Sequence, residues 1–183
     1  MKAALGDAAL MTAMERNSDL IIMHCYAPLM TNINSGASQW RPNMIGYNAL
    51  QSFGSPSYYA FKMFSQNHGD TVVTSSLENA PTGSIPPLHY VVTRDAKRGT
   101  LFIKMVNVTG TPQKVNLVLQ GVTTILPIGK VLTLSAQKPE ETNSIQDPTH
   151  LIPVESDWQN VGLTFSYTFL PYSVTILKVF GSP

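Results

Sequence analysis

Lys114-Val115-Asn116-Leu117-Val118-Leu119 comes close to a strict alternation of polar and apolar side chains, and the stretch from Val174 to Val179 shows a similar pattern. A period of two puts the apolar side chains on one face, which is typical of a half-buried β-strand. Short β-rich runs recur around these two stretches, and turns containing Gly, Pro, Asn and Asp separate them. The predicted strands are His89–Thr93, Thr100–Asn107, Lys114–Leu119, Thr123–Ile125, Lys130–Ser135, Leu163–Phe169 and Ser173–Phe180. Strands at this spacing indicate a β-sandwich or barrel over residues 71–183.

The first part of the chain has a different pattern. Ala, Leu and Met recur at helical spacing over residues 2–16 and predict a helix, which Asn17-Ser18-Asp19 ends. Leu20 to Tyr26 is then a continuous apolar run, which is typical of a parallel strand buried on both faces. A helix, a short turn and a buried strand together indicate one piece of an α/β unit.

A long segment from Pro28 to about Ser55 is predicted to be irregular, and a segment of this length in a compact domain is usually functional. Ser55-Pro56 opens a second helix, with serine at the cap and proline at the first position, and Gly69 is predicted to end it. Two helices alone cannot bury a parallel strand on both faces. The pattern therefore predicts an α/β fragment joined near residue 70 to an all-β module.

The composition excludes several classes of function. The formal net charge is +1 and no run of like charges occurs, which argues against a nucleic-acid or membrane partner. No stretch approaches the roughly 20 apolar residues that span a bilayer. Cys25 is the single cysteine, so neither an intrachain disulfide nor a thiolate cluster is possible. His24, His68, His89 and His150 have no metal-ligand spacing, and no metal or other cofactor is expected.

Several motifs, which keep their order along nearly the whole chain, resemble the α-L-arabinofuranosidases of glycoside hydrolase family 51. They are Ala3-Ala4-Leu5-Gly6-Asp7-Ala8-Ala9 through Glu15-Arg16-Asn17-Ser18-Asp19, Tyr26-Ala27-Pro28-Leu29, Gln39-Trp40-Arg41-Pro42-Asn43-Met44-Ile45, Phe53-Gly54-Ser55-Pro56-Ser57-Tyr58-Tyr59, Asn143-Ser144 with Asp147-Pro148 and Ile152-Pro153, and Leu170-Pro171-Tyr172-Ser173-Val174-Thr175. The resemblance implies that residues 1–70 are the end of a TIM-type (β/α)8 barrel (helix, last strand, long loop, last helix). Residues 71–183 would be a jelly-roll-like β-sandwich.

The resemblance also implies a retaining mechanism, in which one carboxylic acid protonates the leaving oxygen and a second carboxylate attacks the sugar. Both of these residues would lie upstream of Met1, at the ends of earlier barrel strands. Asp7 and Glu15 would be on an outer helix, and Asp19 at the entry of the last strand, which is the wrong end for catalysis. No catalytic residue is therefore assigned, and the chain alone is expected to be inactive.

Four residues are predicted to contact an arabinose-containing oligo- or polysaccharide. Trp40 could stack on a furanose, while Tyr26, Asn32 and Asn43 could bond sugar hydroxyls. In the alternative interpretation, Trp40 pins the long loop and the asparagines cap turns. Asn107-Val108-Thr109 is a glycosylation sequon that matters only in a secreted eukaryotic protein.

Three functional hypotheses remain open at the sequence level. The first is a piece of the family's hydrolase. The second is a stand-alone carbohydrate-binding or structural sandwich. The third is one half of a split enzyme, in which apolar faces of residues 1–70 favour a homo-oligomer or association with a chain that carries the rest of the barrel.

Overall fold

The computed structural model describes residues 1–37, 43–78 and 86–181. Trp40 lies outside these residues. In chain order, the elements of the described part are α1 (Lys2–Arg16), β1 (Met30–Asn32), β2 (Ile45–Tyr47), β3 (Ser52–Gly54), α2 (Pro56–Gln66), β4 (Thr71–Val72), β5 (Leu88–Asp95), β6 (Thr100–Asn107), β7 (Gln113–Val118), β8 (Ile128–Ser135), β9 (Val154–Gln159), β10 (Thr164–Phe169) and β11 (Ser173–Phe180).

A six-stranded antiparallel sheet organises the molecule, with strand order β4-β5-β6-β11-β8-β9. Every residue of its central strand β6 is buried. A two-stranded antiparallel sheet of β7 and β10 covers one face, and the core between the two sheets includes Ile103, Phe169 and Leu177. The predicted β-sandwich is therefore confirmed.

The two helices cover the opposite face of the six-stranded sheet. Leu5 and Met11 of α1 and Met63 of α2 pack in one apolar cluster with Val106 and Ile176 of the sheet. Alternate residues of β6 and β11 thus enter different cores, because neighbouring side chains of a strand point to opposite faces. The result is three layers, with helices, large sheet and small sheet in that order.

Both predicted helices form, and their ends have local causes. Asn17 closes α1 through main-chain bonds to Ala13 and Met14. Ser55 caps α2 as predicted, because its Oγ accepts a hydrogen bond from the main-chain N–H of Tyr58 at 3.3 Å. The predicted end at Gly69 was wrong. The helix ends at Gln66, and the buried side chain of Asn67 bonds the carbonyl of Met63.

The predicted strand over Leu20–Tyr26 is wrong for the described structure. This segment has no strand conformation, and the exposed fractions of Leu20, Ile22 and Met23 are 77%, 90% and 81%. A strand buried on both faces needs hydrogen-bonded neighbours, and no strand of the described residues pairs with this segment. The rings of His24 and Tyr26 rest instead on Phe61 of α2.

The segment predicted to be irregular contains a small three-stranded sheet. Strand β1 runs parallel to β2, with Met30 opposite Ile45, and β3 runs antiparallel to β2, with Gly54 opposite Ile45. Three-residue strands carry too little alternation to be visible in a sequence. The main chain of Ser55 bonds that of Met44, which ties this sheet to the start of α2.

In the sandwich, six of the seven predicted strands are confirmed, with small changes at their ends. Thr123–Ile125 was wrong, because Ile125 forms only an isolated bridge to Gly181. Strands β4 and β9 were missed. β4 has only two residues, and β9 is an exposed edge strand with the sequence Val-Glu-Ser-Asp-Trp-Gln, which lacks an apolar face.

Candidate functional site

The small sheet and the segment before it carry the described members of the predicted sugar-contacting set. Asn32 ends β1 and Asn43 lies two residues before β2. Because Met30 pairs in parallel with Ile45, the two asparagines lie at opposite ends of the strand pair, about 13 Å apart along it. The structure therefore does not bring Asn32 and Asn43 together.

Asn32 has a structural role in this sheet. Its Oδ1 accepts a hydrogen bond from the main-chain N–H of Asn34 at 3.0 Å, which is a side-chain turn of the kind asparagine favours. Asn43 is half-buried at the other end of the sheet. Asn32 thus caps a turn, as the alternative interpretation predicts. Its role toward a sugar stays a prediction.

Tyr26 lies over the junction of the two helices. Its ring meets Phe61 edge-on with centroids 5.3 Å apart. Beside it, Ser57 of α2 donates a hydrogen bond from its Oγ to the Asp7 carboxylate at 2.6 Å. Burial raises the pKa of Tyr26 above its usual value, and the negative charge of Asp7 adds to this effect. Burial also raises the pKa of Asp7, against the opposing effect of the Ser57 bond.

This Asp7–Ser57–Tyr26 cluster was missed from the sequence. Asp7 and Ser57 lie 50 positions apart, and no spacing rule joins them. The one available signal was an acidic residue on a helix otherwise rich in Ala, Leu and Met. The cluster places the Asp7 carboxylate beside the Tyr26 phenol, at the end of the apolar segment, and so fixes the orientation of the Tyr26 side chain.

Several other described carboxylates pair with basic side chains. Glu15 pairs with Lys104, and Glu155 pairs with Lys130 and Lys178. The half-exposed His150 lies between Glu141 at 3.0 Å and Asp147 at 3.5 Å. Among the residues that the structure describes, no group of three or more His, Cys, Asp or Glu side chains could hold a metal ion.

The Glu15–Lys104 pair joins α1 to the centre of the large sheet. The Lys104 side chain is fully buried, and its Nζ lies 2.5 Å from Glu15 Oε1 and 4.9 Å from the centre of the Phe64 ring. Burial lowers the pKa of Lys104 and raises that of Glu15, while the attraction between the two charges opposes both shifts. In the sequence, a lysine inside the apolar run of β6 indicates that this side chain has a partner in the core.

A groove of about 1480 Å³ with a mixed polar and apolar lining runs between the two sheets, beside β7. In the described part of the chain, β7 pairs with β10 alone, so its other edge faces this groove. Val92, Ile103 and Leu117 line it, with Arg94 and Lys114 among the charged residues around it. Of the described residues that line the groove, only Glu78 is acidic, so the groove offers no pair of acids for hydrolysis.

The sequon asparagine is part of the core. Asn107 is fully buried, and its Nδ2 donates hydrogen bonds to the carbonyls of Thr111 at 2.8 Å and Leu170 at 2.9 Å. A glycan on this nitrogen would break these bonds and require space that the core does not have. The folded chain therefore does not carry a glycan at Asn107.

No described helix combines the length and the apolar character that crossing a membrane requires.

Comparisons with known proteins agree on one family. The family model described as the α-L-arabinofuranosidase C-terminal domain matches residues 1–173. α-L-Arabinofuranosidase A of Aspergillus niger is 34% identical over 181 residues, which are 97% of this chain and 26% of that protein. α-L-Arabinofuranosidase 1 of Arabidopsis thaliana is 27% identical over 84% of this chain and 23% of its own length. The chain thus spans about a quarter of these curated relatives.

Solved structures that match this chain include α-L-arabinofuranosidases. An arabinose-bound GH51 α-L-arabinofuranosidase superposes with a TM-score of 0.88 at 32% identity, over 98% of this chain and 27% of that one. An α-L-arabinofuranosidase of Thermotoga maritima in complex with arabinose matches with a TM-score of 0.82 at 19% identity, over 96% of this chain and 37% of that one. The second likeness shows the fold alone.

Proposed function

This chain belongs to the family of α-L-arabinofuranosidase C-terminal domains, and on that basis we propose that it is the C-terminal portion of a retaining α-L-arabinofuranosidase. The complete enzyme would remove terminal arabinofuranosyl residues from arabinose-containing polysaccharides. The family match over residues 1–173 carries the proposal, because it includes the helical segment as well as the sandwich.

In this proposal, residues 1–70 close a (β/α)8 barrel and residues 71–183 form the sandwich that braces it. The exposed apolar segment after α1 supports the assignment, since Leu20, Ile22 and Met23 have the character of a strand with neighbours on both sides. Leu50, in the turn between β2 and β3 of the small sheet, is also 93% exposed. These side chains would be buried by the preceding part of the barrel.

Both catalytic carboxylates are proposed to come from that preceding part. The ion pairs of Glu15 and Glu155 support this, because carboxylates held by structural cations are poorly placed to share a sugar. What this chain contributes to the pocket is Tyr26, held near Ser57 and Asp7, together with the loop that contains Asn32, Trp40 and Asn43. The roles of these four residues toward the sugar stay predictions.

The experiment is hydrolysis of 4-nitrophenyl α-L-arabinofuranoside by two proteins. One is the purified chain, and the other is a chimera in which this chain replaces the corresponding C-terminal quarter of the Aspergillus niger enzyme. We expect no turnover from the chain and clear turnover from the chimera. A folded but inactive chimera would contradict the proposal. Turnover by the chain that is lost on changing Asp7, Glu15 or Asp19 would overturn the placement of the active site.

A second set of assays addresses the pocket residues. In the active chimera, Tyr26→Phe removes only the hydroxyl, and Asn43→Ala removes only the amide. A residue that bonds the sugar equally in the ground and transition states raises KM and leaves kcat unchanged. A residue that only shapes the loop lowers the amount of folded enzyme and leaves both constants unchanged.

A stand-alone carbohydrate-binding sandwich is disfavoured by the helix layer. The core that α1 and α2 share with the large sheet includes Leu5, Met63, Phe64 and Val106, and a separate module would not need this cover. Association with a chain that carries the rest of the barrel remains compatible with the exposed segment 20–23.

A further inference from the structure

The helix layer meets the large sheet mainly through alanine and methionine side chains. On the helix side, the buried contacts are Met1, Ala4, Leu5, Ala8 and Met11 of the first segment and Ala60, Met63 and Phe64 of the second. Alanine gives little shape, and methionine adapts to irregular surfaces because its side chain is unbranched and flexible. Apolar burial is also non-directional. The apolar contact therefore favours docking but specifies its register weakly. The main-chain N–H of Lys2 bonds the carbonyl of Pro139 and holds the first turn of α1, so the position of its last turn depends on other contacts.

One directional contact lies inside this apolar interface. Lys104 sits in the middle of β6, and its neighbours on the adjacent strands, Val91 and Ile176, are fully buried and apolar. Its Nζ reaches Glu15 Oε1 at 2.5 Å, over the ring of Phe64. Among the described residues, Glu15 is the only side chain that accepts a hydrogen bond from Lys104.

Sliding of α1 along the sheet would separate these two charges. One residue of helix corresponds to about 1.5 Å and one turn to about 5.4 Å, and either step would leave a buried ammonium without its acceptor. An unpaired buried charge is far more costly than a misplaced methyl group. Arg16 makes the other polar contact at this end, to the carbonyl of Tyr90, but it is exposed, so water can replace that bond.

We propose that Glu15 and Lys104 are a positioning pair, which selects one register of helix α1 on the sandwich. A buried ion pair is weak evidence for stability, because desolvation offsets the attraction, and its best-attested use is to select one alternative packing over others. The pair lies in the last turn of α1, and the segment that carries Tyr26 begins at Leu20, five residues after Glu15. Only this last consequence rests on the proposed function.

The test measures register directly on the purified chain. Spin labels are placed at Leu10→Cys, on the exposed side of α1, and at Thr168→Cys, on the exposed side of β10, in a Cys25→Ser background. Pulsed electron paramagnetic resonance then gives the distribution of distances between the labels. We expect one narrow distribution for the otherwise unchanged chain.

The deciding variant is Glu15→Gln with Lys104→Met, which keeps the size of both side chains and leaves no buried charge. Because apolar replacement of a buried pair is often neutral or stabilising, this variant should fold and melt at or above the original temperature. We nevertheless expect its distance distribution to broaden or to gain a second population displaced by about 1.5 to 5.4 Å. A less uniform register of α1 without a lower melting temperature is the result expected of a positioning pair.

Two controls separate this result from general loosening. Leu134→Ala makes a cavity in the same core and should lower the melting temperature while the distribution stays narrow. Glu155→Gln removes the exposed pair with Lys178 and should change neither the melting temperature nor the distance distribution. A double variant that keeps the original narrow distribution would overturn the proposal. The distances do not depend on hydrolysis, so this failure is distinct from an inactive chimera.

Discussion

The side-chain amide of Asn143 donates a hydrogen bond to the main-chain carbonyl of Gly54, 2.8 Å away. Gly54 ends the small sheet just before α2, while Asn143 lies in the loop between β8 and β9 of the sandwich. The same side chain also donates to the carbonyl of Leu151 and accepts from its N–H. A single asparagine thus closes its own loop and ties the sandwich to the entrance of the last helix.

Asn143→Ala is expected to destabilise the chain by about 3 kcal/mol, because it removes the partner of the buried N–H and carbonyl of Leu151 and of the part-buried carbonyl of Gly54. Urea denaturation followed by circular dichroism measures this change. Asn116→Ala is the matched control, since Asn116 is exposed on β7 and its side chain accepts a hydrogen bond from the exposed Ser166. It should cost less than about 0.5 kcal/mol. Equal losses from both substitutions would mean that the loop bonds are replaced by water.

The contrast between β6 and β9 shows what could be predicted from the sequence. Thr100–Asn107 was predicted with the bounds that the structure has, because its apolar run is bounded by turn residues. Val154–Gln159 was missed because an edge strand exposed on most of its length needs no apolar face. Periodicity reports burial, so it identifies strands only where a face is buried.

Segment 20–26 shows the converse limit. Its apolar run predicts burial, and the described structure leaves it exposed, because apolar character alone does not supply the neighbouring strands that burial requires. The Glu15–Lys104 and Asp7–Ser57 pairs were also beyond the sequence, since they join residues 89 and 50 positions apart. The resemblance to a family predicts a pocket loop, which stays a prediction, and a contact between distant side chains requires the fold.

Asp7→Asn is expected to raise the free energy of unfolding at pH 7 by less than about 1 kcal/mol. Burial raises the pKa of Asp7 in the folded chain, so folded protein binds this proton more tightly than unfolded chain. The stability that this proton contributes is fully present below the ordinary value of 3.8 and is lost as the pH rises through the folded pKa. The advantage of the asparagine variant should therefore disappear as the pH falls below about 3.8.

Ser57→Ala provides the control for that titration. The Ser57 hydroxyl donates to the carboxylate and lowers the pKa of Asp7, so its removal should increase the cost of ionising Asp7. Asp7→Asn in the Ser57→Ala background should then stabilise more at pH 7 than it does alone. Thermal melts from pH 3 to pH 8 check both statements, and a difference that does not change with pH would contradict them.

Two glycines are expected to respond in opposite directions to alanine. A side chain at Gly69 would overlap the main chain of Arg94, because β5 passes directly beside it. Gly69→Ala should therefore destabilise by about 2 kcal/mol or more. Gly6 lies inside α1 with open space around it, so Gly6→Ala should stabilise by about 0.5–1 kcal/mol. Melting temperatures of the two variants test this, and a tolerated alanine at 69 would show that β5 can move.

The exposed apolar segment after α1 is expected to make the isolated chain self-associate. Contiguous apolar surface is rare on soluble monomers, and here Leu20, Ile22 and Met23 stand together with exposed fractions of 77% or more. Ile22→Ser with Met23→Ser should lower the weight-average mass measured by light scattering at a fixed concentration, without a change in melting temperature. Leu126→Ser is the matched control, because Leu126 is 53% exposed on a different part of the surface. It should leave the mass unchanged, since a single exposed leucine is ordinary. A clean monomer of the unchanged chain would show that the segment folds back on its own surface. The exposed apolar area would then no longer support a missing barrel neighbour.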